Sequence, residues 1–334
     1  MARYLVSGGA GYVGSHVVLA LLDRGDEVVV LDNLSTGHRA AVPAQVTLCE
    51  VDLANPRAVD EVLAGWKFDA VFHMAALSLV GESMKEPLRY IRTNVGNSIN
   101  LAEAAIKANV KRFVFSSTAA IFGVPRSTPI PENAAAEPVN PYGESKLMVE
   151  QALAWAESAH GLRSACLRYF NAAGADPKGR AGEDHTPETH LIPRAILATL
   201  GRETPVTVFG TDYDTPDGTA VRDYVHVTDL AAAHLAVLPR LEEGSVAYNI
   251  GNGRGYSVKE VIASLERVSG RHVPHTLGER REGDPPALVA GSERLRGETG
   301  WVPRLDALDD IVKTAWAWHL ANPDGYATRQ RQAA

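Results

Sequence analysis

A glycine-rich segment near the start of the chain, GGAGYVG beginning at Gly8, constrains the fold most strongly. It follows the β-branched run Arg3–Ser7, which is typical of a buried strand, and it opens the helical pattern Tyr12–Arg24. Gly8, Gly11 and Gly14 allow a tight turn, close approach of the backbone to a pyrophosphate, and close helix–strand packing. The exposed N–H groups and the positive end of the helix dipole would then bind phosphates. The segment therefore predicts a dinucleotide-binding strand–turn–helix rather than a merely structural turn.

The first 170 residues alternate short β-branched runs with longer helical patterns. The predicted strands are Arg3–Ser7, Glu27–Leu31, Gln45–Cys49, Asp69–His73, Arg112–Ser116 and Ser164–Tyr169. The predicted helices are Tyr12–Arg24, Pro56–Ala64, Pro87–Ala108 and Pro141–His160. Because strands that alternate with helices form a parallel sheet wound by right-handed crossovers, we predict a doubly wound α/β (Rossmann) sheet.

The pattern loosens after residue 170. Later segments predict a short strand at Val246–Ile250, a helix at Ser257–Ser269 and a closing helix from about Leu305 to Ala321. With 334 residues, the chain exceeds the size to which single cores usually grow. We predict a dinucleotide-binding domain over residues 1–170 and a smaller α/β substrate-binding domain mainly over residues 171–334, interleaved with the first.

Charge and composition exclude several classes of protein. The net charge of −7, without a basic block, argues against a nucleic-acid binder. The longest apolar runs, such as Val17–Leu22, fall far short of the ~20 residues that span a bilayer. The first 14 residues lack a basic region leading into a hydrophobic one, and Cys49 and Cys166 are too few and too isolated for a disulfide framework or a zinc site. We expect a cytoplasmic protein without nucleic-acid or membrane partners.

An acidic residue at the end of the second predicted strand bears on the choice of cofactor. Asp32 lies 18 residues after Gly14, near the spacing of ~20 expected for the acid that binds ribose hydroxyls. A carboxylate there would repel a 2′-phosphate, which favours NAD over NADP. A turn-forming Asp-Asn pair is the plainer alternative. Asp52, after the third strand, could flank the adenine but is indistinguishable from an ordinary loop aspartate.

Tyr142 and Lys146 form the catalytic signature. They are four residues apart at the start of a helix that Asn140 would cap, so they share one face. Thr118 ends the fifth strand, at the edge where such sheets bind ligands, and its hydroxyl could relay a proton. Lowering a tyrosine pKa from ~10 toward ~7 takes about 4 kcal/mol, and one unit charge at ~4 Å supplies about that much at a dielectric near 20. The alternative is a solvated pair on an amphipathic helix.

Together these residues resemble the extended short-chain dehydrogenase/reductase superfamily, and the resemblance narrows to the UDP-glucose 4-epimerase (UDP-galactose 4-epimerase) family. It runs from residue 3 to about residue 326. The segments that carry it are GGAGYVGSH (Gly8–His16), LVGES (Leu79–Ser83), SSTAAIFG (Ser116–Gly123), PYGESKLMVE (Pro141–Glu150), RYFNAAGA (Arg168–Ala175), DGTAVRDYVHVTDLA (Asp217–Ala231) and RREGDPPALVA (Arg280–Ala290). The last two segments look like the epimerase branch in particular.

The resemblance implies interconversion of UDP-glucose and UDP-galactose without net redox change. Tyr142 would remove the proton of the sugar 4-hydroxyl, with Thr118 as relay, while a hydride moves from C4 to tightly held NAD and later returns to the other face. Lys146 would lower the Tyr142 pKa and hold the nicotinamide ribose. The implied NAD contacts are Gly8, Gly11, Tyr12, Val13, Gly14, Asp32, Asn33, Leu34, Ser35, Thr36, Gly37, Asp52, Leu53, Met74, Ala75, Ala76, Leu77, Ser78, Thr93, Asn94, Tyr142, Lys146 and Phe170.

The resemblance also implies a site for the UDP-sugar. Its residues are Thr118, Asn171, His190, Leu191, Phe209, Arg222, Arg281, Asp284 and Leu288. Two arginines on a pyrophosphate make physical sense because a guanidinium grips phosphate oxygens bidentately, although each arginine alone would pass for a surface charge. His190 and Ser78 stand where some members have Asn and Lys. Leu288 is smaller than the tyrosine that tends to mark members limited to glucose and galactose, which suggests activity on N-acetylated sugars.

Other readings stay open at this point. A UDP-N-acetylglucosamine or UDP-glucuronate 4-epimerase differs only in the sugar. A nucleotide-sugar 4,6-dehydratase would need an acid pair where Ala119 and Ala120 stand, and an inactive NAD sensor would typically lack the Tyr142–Lys146 pair. The stretch from Glu183 to His190 has no His-x-x-x-His pair, so we predict a structural or substrate loop and no metal site. In the superfamily, helices matching Pro87–Ala108 and Pro141–His160 pair across a dimer, which predicts a homodimer.

Overall fold

The structure, a computed structural model, describes residues 1–281 and 284–333. The strands are β1 Arg3–Ser7, β2 Glu27–Asp32, β3 Thr47–Glu50, β4 Ala70–His73, β5 Arg112–Thr118, β6 Arg163–Tyr169, β7 Asn171–Ala173, β8 Val206–Phe209, β9 Val221–His226, β10 Val246–Ile250, β11 Gly255–Ser257, β12 His275–Gly278 and β13 Ala287–Leu288. The helices are α1 Tyr12–Asp23, α2 Pro56–Ala64, α3 Val80–Lys85, α4 Pro87–Tyr90, α5 Asn97–Lys107, α6 Pro141–His160, α7 Leu191–Thr199, α8 Val227–Ala236, α9 Val258–Ser269, α10 Glu293–Thr299, α11 Leu308–Ala321 and α12 Tyr326–Ala333.

Seven parallel strands form the main sheet, in the order β10-β6-β5-β4-β1-β2-β3. Chain order reverses between β1 and β4, and in such sheets ligands bind at the carboxyl ends of the strands beside this switch point. The predicted doubly wound parallel sheet is therefore confirmed. The strand predicted at Val246–Ile250 lies at the edge of this sheet, where it pairs with β6 although it follows β6 by more than 75 residues.

Helices cover both faces of the main sheet. On one face, Val17 and Leu21 of α1 and Leu230 of α8 pack in a buried cluster with side chains of β1, β2 and β4. On the other face, Leu101 of α5 and Val149 of α6 pack with the opposite side chains of the same strands. A parallel sheet buried on both faces explains why its strands read as continuous apolar runs.

A second, smaller α/β region lies beside the main sheet. Strands β11, β9 and β13 form a sheet in that order, β7 also pairs with β9, and β8 pairs with β12. Helices α7, α9 and α11 share a buried apolar cluster with this region. The predicted closing helix begins at Leu308 rather than Leu305, because the Leu305 N–H donates to Asp229 Oδ2 at 2.8 Å instead of entering the helix.

The division of the chain at residue 170 remains a prediction. Helix α8 packs on the main sheet and β10 lies within it, although both follow residue 170 in the chain. Within the described residues, the longest apolar helices do not reach the length and hydropathy that a membrane span requires.

Candidate active site

The glycine-rich segment forms a cradle between β1 and α1 that side chains would fill. Gly8 has a φ of +73°, and a Cβ there would lie 2.5 Å from the Ala75 backbone nitrogen. A Cβ on Gly14 would overlap the Gly8 carbonyl oxygen. Gly11 caps α1 without a side-chain hydrogen bond, so the first-turn N–H groups are free of a side-chain cap. The cradle therefore offers backbone donors and a helix dipole to a phosphate group.

Asp32 stands beside this cradle, at the carboxyl end of β2. Its two carboxylate oxygens accept hydrogen bonds from the N–H groups of Ala10 at 3.0 Å and Leu34 at 2.9 Å. Burial raises the pKa of this carboxyl. Each oxygen retains acceptor capacity, so the group can still bind hydroxyls. Next along the edge, Asn33 Nδ2 donates to Asp52 Oδ2 at 2.9 Å, which joins the ends of β2 and β3.

A buried asparagine, Asn94, holds the loop that follows β4. Asn94 Oδ1 accepts from the Leu77 N–H at 2.8 Å, and its Nδ2 donates to the Leu77 carbonyl and to Ser145 Oγ at 3.0 Å each. Asn94 lies in a π-helical turn, Ile91–Gly96, so the helix predicted at Pro87–Ala108 is interrupted. Its amide thus ties the predicted cofactor loop to α6 beside the catalytic pair. Its predicted contact with NAD, like those of the other site residues, stays a prediction.

Thr118, Tyr142 and Lys146 come together at the carboxyl end of β5. Asn140 caps α6 as predicted, because its Oδ1 accepts from the Gly143 N–H at 2.8 Å. The first turn of α6 packs against the backbone that follows Thr118, and this places Tyr142 close enough to the Thr118 side chain for it to affect the Tyr142 pKa. Lys146, 2% exposed, donates from Nζ to the Ser116 carbonyl at 2.7 Å and lies 6.0 Å from the centre of the Tyr142 ring.

The electrostatics of this group oppose ionisation of the tyrosine. Burial raises the pKa of Tyr142 well above its usual value, Tyr169 adds to the shift, and the Thr118 side chain works against it. Burial also lowers the pKa of Lys146 to about 7, despite the nearby carboxylate of Glu150. In the chain alone these effects favour the protonated form of Tyr142, and a further positive charge nearby would lower its pKa.

A buried ion pair that the sequence analysis did not single out fixes the same edge. Glu150 accepts from Ser117 Oγ at 2.5 Å and from the Arg168 guanidinium, whose Nη2 lies 2.5 Å from Oε2. Arg168 also donates to the Glu132 carbonyl at 3.1 Å. Glu150 follows Lys146 by four residues on α6, and this spacing was the available signal.

The two arginines predicted to bind the pyrophosphate lie in the smaller region, each beside another predicted site residue. Arg222, in β9, forms an ion pair with Asp284 and donates to the Pro285 carbonyl at 3.0 Å. The Arg281 guanidinium lies 4.2 Å over the Phe209 ring at the end of β8. The structure thus brings the predicted UDP-contacting residues together in two pairs, Arg222 with Asp284 and Arg281 with Phe209.

Leu288 lies where the smaller region packs against the segment that follows β5. It pairs with Arg222 in the register of β13 and β9, and it packs with Phe170 against the buried segment that begins at Ala119. Asn171 begins β7, which also pairs with β9. The predicted substrate residues of β7, β9 and β13 therefore share one sheet next to Thr118.

His190 lies at the cap position of α7, before Leu191, and belongs to a side-chain cluster in the stretch predicted to be a structural or substrate loop without a metal site. Its Nδ1 is 2.5 Å from Glu183 Oε1 and 3.4 Å from Glu188 Oε1. His185 Nδ1 reaches the same two side chains at 3.2 and 3.5 Å. The spacing E-D-H-x-x-E-x-H was the signal in the sequence, and only the folded loop shows that all four side chains converge.

Comparisons with known proteins agree with this geometry. Residues 4–251 match the model of the NAD dependent epimerase/dehydratase family. A relative named UDP-glucose 4-epimerase, from Azospirillum brasilense, is 54% identical over 95% of this chain and 91% of its own length. The crystal structure of UDP-glucose 4-epimerase from Brucella ovis in complex with NAD is 45% identical, with a TM-score of 0.92 over 95% of this chain and 98% of its own. The UDP-Glc/GlcNAc 4-epimerase from Campylobacter jejuni is 41% identical, with a TM-score of 0.85 over 96% and 99% of the two chains. The resemblance inferred from the motifs is confirmed: the chain belongs to the NAD dependent epimerase/dehydratase family.

Proposed function

We propose that this chain interconverts UDP-glucose and UDP-galactose by transient oxidation of the sugar at C4. The observation that carries the proposal is the convergence of Thr118, Tyr142 and Lys146 at the carboxyl end of β5, beside a glycine cradle for a dinucleotide. The names of the relatives support the same activity.

NAD fits the cradle, where Gly8 and Gly14 leave no space for a side chain and the helix N-terminus can bind a pyrophosphate. When bound, NAD would supply the redox chemistry, a reversible hydride transfer at C4 of the sugar. The first turn of α1 would hold the phosphates, Asp32 a ribose, and Lys146 the nicotinamide ribose. The carboxylate of Asp32 supports NAD over its 2′-phosphorylated form.

The residues of the chain move the proton. Tyr142 would remove it from the sugar 4-hydroxyl and give it back, and Thr118, at the same end of β5, would relay it. Lys146 would stabilise the negative charge that forms on Tyr142.

The smaller region would hold the UDP group. Arg222 and Arg281 would bind the pyrophosphate, and Phe209 would stack on the uracil. The remaining proposed contacts are Asn171, His190, Leu191, Asp284 and Leu288.

The test incubates purified protein with UDP-galactose, without added NAD, and separates the UDP-sugars by chromatography. We expect conversion to UDP-glucose by the wild type and by Tyr4→Phe, a matched control on β1, and its loss in Tyr142→Phe. The absence of conversion even after NAD is supplied would refute the proposed activity.

A second candidate activity concerns N-acetylated sugars. Leu288 packs with Phe170 next to the catalytic strand and leaves more room than a tyrosine would. The similar enzyme from Campylobacter jejuni is named for both glucose and N-acetylglucosamine. We expect Leu288→Tyr to lose turnover of UDP-N-acetylglucosamine while it keeps that of UDP-galactose. Equal loss of both would count against this reading.

A homodimer is the proposed assembly. Large apolar side chains are exposed on neighbouring helices, with Leu88 74% and Trp155 76% exposed on α4 and α6. A second copy of the chain could cover them. Light scattering should give a dimer for the wild type and for Val302→Glu, a control at another exposed apolar residue, and a monomer for Trp155→Glu. A dimeric Trp155→Glu would contradict this assembly. The cytoplasmic location stays a prediction.

A further inference from the structure

Two histidines and two glutamates converge in the loop before α7. Each of Glu183, His185, Glu188 and His190 can offer one ligand atom, and these atoms all lie within 4.8 Å of one another. We call them the 183–190 cluster. Neither the proposed redox chemistry nor the proposed proton relay uses Glu183, His185 or Glu188.

Three of the distances between side chains of the 183–190 cluster are close to the distances between ligand atoms around a tetrahedrally coordinated ion. Four ligands at about 2.0–2.1 Å from zinc lie about 3.3 Å from one another. His185 Nδ1 lies 3.2 Å from Glu183 Oε1 and 3.5 Å from Glu188 Oε2, whereas His190 Nδ1 lies 3.4 Å from the other carboxylate oxygen of Glu188, Oε1. The fourth separation, 2.5 Å between His190 Nδ1 and Glu183 Oε1, would open by about 0.8 Å when both atoms bind one ion.

Burial and donor chemistry indicate which ion would fit. The side chains of Glu183 and Glu188 are only 6% and 4% exposed, so their charges need close partners. Two imidazole nitrogens with two carboxylates suit zinc and its neighbours in the first transition row, whereas calcium and magnesium prefer oxygen alone. Both histidines use Nδ1, which leaves each Nε2 on the far side of its ring.

The 183–190 cluster lies against the cofactor cradle. The His185 ring stands edge-on to the ring of Tyr12, the first residue of α1, at 6.1 Å. The Glu183 carbonyl accepts from Trp318 Nε1 of α11 at 3.0 Å, and His38 contacts the Asp184 carbonyl at 3.0 Å. An ion in the cluster would therefore fix the loop between the first turn of α1 and α11.

We propose that Glu183, His185, Glu188 and His190 bind one divalent ion of the zinc class, which fixes the loop before α7. The ion holds Nδ1 of His190 and so orients its Nε2. That this nitrogen then faces the UDP-sugar rests on the proposed function, whereas the binding of the ion does not. The competing arrangement is a set of histidine–glutamate ion pairs without metal.

The test measures zinc on the full chain. Protein stripped with a chelator is incubated with Zn²⁺, passed through a desalting column and assayed by elemental analysis. We expect one equivalent in the wild type and in His160→Asn, a control at an exposed histidine, and at least a tenfold drop in His185→Asn and in the nearly isosteric Glu188→Gln. Equal uptake by all four proteins, or none by the folded wild type, would overturn the proposal.

A second measurement does not depend on how the variants fold. Co²⁺ bound to the wild type should give the strong visible absorption of a tetrahedral site, and one equivalent of Zn²⁺ should abolish it; weak, octahedral absorption would overturn the site. The epimerase assay separates the two proposals. Wild-type protein that converts UDP-galactose but binds no zinc refutes the metal site alone, and protein that binds zinc without conversion refutes the activity alone.

Discussion

Gly143→Ala probes how closely the first turn of α6 must approach the end of β5. A Cβ at Gly143 would lie 2.5 Å from the Ala120 carbonyl oxygen and 2.9 Å from its carbon, both of them backbone atoms that cannot rotate away. Ordinary contact begins at 3.4 Å, so α6 or the segment after Thr118 must move by about 0.9 Å. Tyr142 precedes this residue directly, and its hydroxyl would shift relative to Thr118 by a similar distance.

A displacement of this size should act on kcat more than on binding. A misplacement of about 1 Å in a catalytic group can cost about 10²-fold in rate, or about 2.7 kcal/mol of transition-state stabilisation. Arg222 and Phe209 lie on other elements, so the KM for UDP-galactose should stay within about threefold.

The assay compares initial rates of UDP-glucose formation by the wild type, Gly143→Ala and Gly297→Ala. Gly297 lies in α10, where a Cβ meets nothing within 4 Å, so this control should keep wild-type kcat and gain slightly in melting temperature because alanine favours helix. Thermal unfolding checks that Gly143→Ala is folded. A folded Gly143→Ala with a kcat within threefold of wild type would refute the reasoning.

Three further changes test other parts of the site. Asp32→Asn should reduce the NAD retained after gel filtration by at least tenfold, while Asp214→Asn, an exposed control, retains it; equal retention would count against Asp32 as a cofactor ligand. In cofactor-free protein, Lys146→Met should change the pH dependence of denaturant unfolding. Burial lowers the pKa of Lys146 to about 7, below the 10.5 of a free lysine, so between these pH values the folded state binds fewer protons than the unfolded state. The free energy of unfolding of the wild type, relative to that of Lys146→Met, should therefore rise by about 1.4 kcal/mol per pH unit across that window. Parallel pH curves for the two proteins would contradict this. Arg222→Lys should raise the KM for UDP-galactose about tenfold because the planar fork is lost, whereas Arg267→Lys, at an exposed ion pair, should not; an unchanged KM for both would disprove the role.

Features encoded by neighbouring residues were predictable from the sequence. The bounds of β1 and α6 match their predictions because the strand precedes a glycine turn and the helix carries its own cap at Asn140. Tyr142 and Lys146 share a face because helical spacing alone requires it. The local pattern also predicted Thr118 at the carboxyl edge of β5, although the strand extends to Thr118, two residues beyond the predicted Arg112–Ser116.

Features that depend on residues distant in the chain were not predictable from the sequence. Val246–Ile250 reads as a strand in any sheet, and its place beside β6 is decided by long-range packing. The π-helical turn contains Asn94, whose side chain forms hydrogen bonds with Leu77 and Ser145, and the residue types of the segment do not reveal these partners. The 183–190 cluster was set aside because its spacing fits no helical metal motif, although a loop can bring the same side chains together.

The electrostatic balance of Tyr142 and Lys146 also depends on burial. Residue types suggest that the charges of Lys146 and of a bound nicotinamide together supply the ~4 kcal/mol that a tyrosinate requires. In the folded chain, burial lowers the pKa of Lys146 to about 7, its Nζ donates to the Ser116 carbonyl, and burial raises the pKa of Tyr142. Burial therefore disfavours the charged forms of both side chains, and another positive charge at the same edge of the sheet would favour the tyrosinate. Under the proposed function this is useful, because Tyr142 would remove a proton only when the site is also ready to take a hydride, and would stay protonated otherwise.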